Sequence, residues 1–109
     1  MKVLVAGHTY ELDHLDGDSH SYIQFVDRKH GTDKEGVTNQ ELIRVLIDRV
    51  IFLNGEVEWD GNSEILQHLR MALVLHESRA LERKVEKGEL YPEDVITSSK
   101  DLHFKVTTE

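Results

Sequence analysis

The sequence predicts an α+β fold: a small antiparallel β-sheet from N-terminal strands and one C-terminal strand, packed with an antiparallel two-helix hairpin. Three observations carry this expectation. The first thirty residues alternate in short β-branched and aromatic runs separated by turn residues. At Val37 the apolar period lengthens to that of a helix and stays so to Lys87. Leu102, Phe104 and Val106 then alternate again within Asp101–Thr107. A chain of 109 residues is expected to form a single domain, with a β-rich part (1–36), a helical hairpin (37–90) and a tail carrying a strand (91–109).

Taken in order, Lys2–Val5 alternates weakly, Ala6-Gly7-His8 forms a turn, and Thr9–Leu15 alternates again. Asp16-Gly17-Asp18-Ser19 is a strong turn signal, after which Tyr22–Val26 resumes strand composition. The polar segment Arg28–Gly36 breaks the pattern and reads as an exposed loop.

The first helix has the best-specified start. Thr38-Asn39-Gln40-Glu41 is a capping box, in which the Thr38 hydroxyl accepts the Glu41 amide. Val37 and Leu42 flank it in the positions of a hydrophobic staple. The helix is expected to end at Leu53 or Asn54, where Asn54-Gly55 supplies a stop. A polar connector, Gly55–Gly61, contains Trp59. The second helix is predicted from Asn62 or Ser63 to Lys87, roughly 37 Å long at ~1.5 Å per residue, with Gly88 as its C′ residue. The short connection makes the two an antiparallel hairpin. Tyr91-Pro92 ends the helical region.

Composition excludes several classes. Thirteen Lys+Arg against 21 Asp+Glu give a net charge of −8, and such a field repels long nucleic acids and anionic membranes. No run of ~18 apolar residues spans a bilayer, and no signal-peptide pattern opens the chain, so an intracellular protein is expected. With no cysteine there is no disulfide framework and no thiol nucleophile.

The helices carry more apolar surface than one hairpin hides. Only Arg44, Asp48 and Arg49 interrupt the apolar residues between Leu42 and Leu53, and Ile65, Leu66, Leu69, Met71, Ala72, Leu73, Val74 and Leu75 follow in the second helix. Two accounts stand: a sheet covers one side and solvent meets the remainder, or the chain self-associates, most simply as a twofold dimer.

Catalytic constellations are missing. Asp13-His14-Leu15-Asp16-Gly17-Asp18-Ser19-His20 is rich in metal-ligand types, but it lacks EF-hand spacing and reads as a solvated hairpin turn. His76-Glu77 starts like a zincin motif, yet Ala80 stands where the second histidine belongs. There is no nucleophile elbow, P-loop or dinucleotide fingerprint. What remains is a cationic island, Arg79, Arg83, Lys84 and Lys87 among Glu82 and Glu86. Helix-dipole and i±4 pairing accounts explain it structurally. The functional account is a small-anion site, since His76, Arg79 and Arg83 share one helix face and guanidinium forks suit phosphate. Phe52 is either core filler or a ligand platform, and Asn62 either an N-cap or a ligand contact.

The stretch from Tyr22 to Lys29, then Val37-Thr-Asn-Gln-Glu-Leu-Ile-Arg-Val-Leu-Ile-Asp-Arg-Val, resembles the phage Thoeris anti-defence protein 1 family. So do Asn62-Ser-Glu-Ile-Leu-Gln-His-Leu-Arg-Met-Ala-Leu and His76-Glu-Ser-Arg-Ala-Leu-Glu-Arg. That family shares its helical hairpin with the phage anti-CBASS sponges, and the likeness covers about residues 20–90. It implies a non-enzymatic protein that sequesters cyclic ADP-ribose isomers made by bacterial TIR-domain sensors, with the ligand at a dimer interface. Some members also bind cyclic di- or trinucleotides. No cofactor, metal or catalytic residue is implied; the partners are the signal molecule and further copies of the chain, as a homodimer or a hexamer, in the host cell cytoplasm.

By the same resemblance Phe52, Asn62 and Arg79 match the signal pocket, and an arginine from the β-rich part matches Arg28. Arg83 and His76 join them from the shared helix face. Leu75 stands where the family often has an aromatic residue, and Lys87-Gly88-Glu89-Leu90 replaces a Gly-Val-Glu-Gly tail. Two other classes compete: a hydrolase of the same signal, and a structural adaptor that uses the hairpin only for assembly.

Overall fold

The computed structural model describes residues 1–28 and 34–88, together with the backbone of 95–98 and 103–106. It is α+β, and it divides into two compact units, Met1–Glu41 and Leu42–Glu109.

In the first unit, β1 (Lys2–Val5), β2 (Thr9–Asp13) and β3 (His20–Gln24) form an antiparallel sheet in the order β1-β2-β3. Glu11 lies opposite Tyr22 and Asp13 opposite His20. Because strand side chains alternate, Tyr10, Leu12 and Ile23 share one face, and Glu11, Asp13, His20 and Tyr22 the other. Tyr10 meets Phe25 edge-on, ring centroids 5.8 Å apart.

The predicted turn closes β2 onto β3 through Asp16. Its Oδ1 accepts the amides of Asp18 (2.9 Å) and Ser19 (3.1 Å), and these donors hold its carboxyl below the ordinary 3.8. Beyond β3, Asp27 and Lys34 exchange both backbone hydrogen bonds at 3.0 Å, and Phe25 bridges to Val37. Gly36 passes so close to this crossing that a Cβ there would stand 2.5 Å from the Phe25 carbonyl carbon and 2.7 Å from the Val26 nitrogen. The expected Arg28–Gly36 loop otherwise falls at 29–33, outside the described residues.

α1 (Asn39–Glu56) starts as the capping box predicts, the Glu41 amide donating to Thr38 Oγ1 at 3.2 Å. It runs past the expected stop, through Asn54 and Gly55, because Gly55 stays helical and the Asn54 side chain is used elsewhere. α2 (Gly61–Glu86) ends as expected, with Lys87 and Gly88 donating to the last carbonyls and Gly88 at φ 73°. Its N-cap is Asp60, without a side-chain capping bond, not Asn62. The helices pack antiparallel, with Ile47 (6% exposed) and Leu73 (0%) at the centre. Arg44 of α1 pairs with Glu77 of α2. Inward positions recur at Ile43, Ile47, Val50 and Asn54, the helical spacing that faces one neighbour.

The C-terminal strand forms, but it does not join the N-terminal sheet. β5 (His103–Val106) pairs antiparallel with β4 (Val95–Ser98) in a separate two-stranded ladder. β4 was missing from the expected elements because its apolar residues, Val95 and Ile96, are adjacent and do not alternate, and its presence gives β5 a nearer partner. Tyr91-Pro92 lies outside the described residues. Among the described residues no helix is long and apolar enough to cross a membrane.

Two glycine substitutions should move stability in opposite directions. Gly36→Ala forces backbone to shift and should destabilise by about 1–3 kcal/mol. Gly55→Ala, helical with nothing near a built Cβ, should stabilise by about 0.4–1 kcal/mol; urea denaturation of the three proteins checks both signs. For Asp16, a folded pKa below 3.8 means its stabilisation is present above that value and lost as pH falls through the folded one. The difference in urea midpoint between wild type and Asp16→Ala should therefore shrink on acidification.

Candidate functional site

The hairpin's connector is organised by one side-chain oxygen. Asn54 Oδ1 accepts the Trp59 amide at 3.0 Å and Asn62 Nδ2 at 2.9 Å. The Asn62 amide donates to the Trp59 carbonyl (3.0 Å) and the Ser63 hydroxyl to the Asp60 carbonyl (2.9 Å), which starts α2. Asn62 is thus half-buried and oriented, though one of its amide hydrogens is already committed. A cavity of about 230 Å³ adjoins this connector, lined by Asn54, Glu58, Trp59, Asp60, Ser63 and Leu66. Two carboxylates in its wall make it unsuited to a pyrophosphate.

Phe52 lies two residues before Asn54 and is 58% exposed; it is not core filler within one chain. It belongs to an outward stripe of α1 with Val45, Leu46 and Leu53, all exposed. Arg79 lies on an outward stripe of α2 at helical spacing from His68, Met71 and Leu75, the last 66% exposed. His76 is half-buried and Arg83 exposed. Arg83 and Lys84 occupy the last turn of α2, where the dipole also favours cations.

These residues fall into two groups. Phe52 and Asn62 stand at the connector end; His76, Arg79 and Arg83 stand toward the far end of α2. Seventeen residues separate Asn62 from Arg79, about 25 Å along a helix axis, farther than one small cyclic nucleotide reaches. Arg28 belongs to the first unit, where its Nη2 donates to Glu35 at 2.8 Å.

The first unit holds two arrangements that sequence reading missed. The segment Asp13–His20, expected to be only a solvated turn, splits in two. Asp16 makes the turn, while Asp13 and His20 face each other across the ladder and Glu11 joins them, the three offering ligand atoms within 4.8 Å of one another. The Met1 ammonium, 3.0 Å from Asp13 Oδ2, holds the Asp13 carboxyl below its ordinary value, and the bond to Glu11 raises the Tyr22 phenol. Secondly, His8 Nε2 lies 3.7 Å from Asp27 Oδ2, the latter residue 7% exposed, beside a cavity of about 500 Å³ that His8, Tyr10, Phe25, Val37, Thr38 and Asn39 help to line. Its volume is that of a small-molecule site. Cross-strand register and a nineteen-residue reach are not encoded in local spacing, so no pattern announces either arrangement.

Comparison with protein-family models and with curated proteins finds no match to this chain.

Asn54→Ala removes the acceptor of both connector bonds and should lower stability by about 1–3 kcal/mol. Asn62→Ala keeps the Trp59 bond and should cost less, a ranking that urea denaturation with far-UV circular dichroism reads directly.

Proposed function

We propose that this protein is a non-catalytic binder of a small cyclic nucleotide signal, its pocket completed when two copies associate through the outer faces of their hairpins. The observation that carries this reading is the exposed apolar stripe with an arginine on it. Phe52 and Leu53 on α1, and Met71 and Leu75 in line with Arg79 on α2, all face outward in the single chain. Exposed apolar surface of this kind marks an association site. A twofold partner laid antiparallel brings its Arg79 toward Phe52 and Asn62, which one chain holds about 25 Å away along the helix.

The chemistry of the two groups is complementary. Phe52 offers a face on which adenine stacks. Arg79, with Arg83 and His76 beside it, suits a pyrophosphate, and Asn62 can contact base or ribose hydroxyls. Arg28, which the resemblance also matches to the signal pocket, is paired with Glu35 in the first unit. The resemblance to the Thoeris anti-defence family supports a cyclic ADP-ribose isomer as the signal, made by TIR-domain proteins in the host cytoplasm. It likewise supports a phage sponge that blocks immunity, as a homodimer or a hexamer built from dimers, with cyclic oligonucleotides as further ligands. Sequestration needs tight binding and no nucleophile.

The test is capture followed by recovery. Incubated with a cyclic ADP-ribose isomer, the protein should remove it from solution and release it unchanged on denaturation. Phe52→Ala and Arg79→Ala should each weaken capture about tenfold or more, ~1.4 kcal/mol per decade, at unchanged mass by light scattering. Leu75→Asp should split the assembly and lose capture. Recovery of a cleaved product would identify a hydrolase instead. No capture at micromolar ligand, with the assembly intact, would leave the adaptor reading.

A further inference from the structure

We propose that Glu11, Asp13 and His20 form a binding site for a divalent transition ion of the zinc type on the polar face of β2 and β3. The backbone places them. Asp13 and His20 are directly opposite in the ladder, and Glu11 lies two residues before Asp13 on the same strand, hence on the same face. His20 Nδ1 stands 3.1 Å from Asp13 Oδ1 and 4.0 Å from Glu11 Oε2. Ligand atoms about 2.0–2.2 Å from a four-coordinate zinc lie about 3.3 Å from one another, so small side-chain rotations suffice to close on an ion.

Each carboxylate is held from outside the trio. Tyr22 Oη donates to Glu11 Oε1 at 3.2 Å, and the Met1 ammonium donates to Asp13 Oδ2 at 3.0 Å. Both bonds engage the oxygen that His20 does not face, leaving Glu11 Oε2 and Asp13 Oδ1 turned toward the imidazole. Outer partners that orient ligands in this way are characteristic of built metal sites. His14, the other histidine of this hairpin, is committed elsewhere: its Nδ1 bonds Ser19 Oγ at 2.7 Å and its Nε2 bonds Ser21 Oγ at 2.6 Å.

The donor set selects the metal. One imidazole nitrogen and two carboxylate oxygens suit zinc and its first-row neighbours, whereas calcium takes six to eight oxygens and magnesium keeps its waters. The ion would replace the proton that His20 Nδ1 shares with Asp13, clip β2 to β3, and leave its remaining position open to water on an exposed face.

Isothermal titration of the untagged chain with zinc chloride tests this, with magnesium chloride as the comparison. Wild type should take up one Zn²⁺ at this site with a raised melting temperature, and Mg²⁺ should give neither effect. His20→Ala should weaken zinc binding about a hundredfold and Tyr22→Phe about tenfold, while His14→Ala leaves it unchanged. The imidazole resonances of His20 should shift on adding zinc, which locates the ion even where a variant is unstable. Equal zinc affinity in wild type and folded His20→Ala, or unshifted His20 resonances at saturation, would overturn the proposal as adventitious binding only.

Discussion

One carbonyl oxygen decides which surfaces of the hairpin meet solvent. Asn54 Oδ1 takes hydrogen bonds from both sides of the connector, from the Trp59 backbone and from the Asn62 side chain, and so sets where α2 begins relative to the end of α1. Arg44 and Glu77 pair some two turns and more along the helices and keep the same register. With the register fixed, Ile47 and Leu73 must face inward. The stripes bearing Phe52 and Arg79 must then face outward. A shift of one residue would rotate each helix by about 100° and bury part of that surface. The polar contacts thus contribute specificity more than affinity, since a partly exposed ion pair stabilises little.

The local code was legible and the long-range code was not. Thr38 and Glu41 gave the start of α1, Gly88 the end of α2, and Asp16-Gly17 the turn, because each is a contact between residues at most four apart. Gly55 misled because glycine permits a helix end without requiring one, and Asn62 misled because its cap chemistry was directed to a residue eight positions earlier. The C-terminal strand was legible as a strand, but its partner was not, since the apolar residues of β4 are adjacent and give no period-two signal. Site residues divide likewise. Helical spacing nominated Arg79 with His76 and Arg83 as a small-anion site, Phe52 and Asn62 were decided only through a family likeness, and the grouping of Glu11 with Asp13 and His20 depended on a strand register that the turn fixes.

Charge takes a more specific meaning once the residues are placed. The net −8 counts against polymers, whose many phosphates sum the repulsion along their length. It says little about a small anion, which samples only the groups within a Debye length of ~8–10 Å. Arg79, Arg83, Lys84 and Lys87 crowd one end of α2, whereas Glu58 and Asp60 line the cavity at the other. A single acidic protein therefore presents opposite local potentials at the two ends of one helix. In the proposed antiparallel pair those ends would meet, so these charges would favour that orientation of the two copies.

Every described strand pairs with its neighbour in sequence: β1 with β2, β2 with β3, β4 with β5. The helices do the same across a connector of a few residues. Closing such short loops costs little chain entropy, and chains dominated by local contacts fold fast. Each ladder can therefore form as soon as its second strand leaves the ribosome, without waiting for distant segments. In the proposed reading, association between copies would need the finished outer stripes of the hairpin and would be the slow, concentration-dependent step.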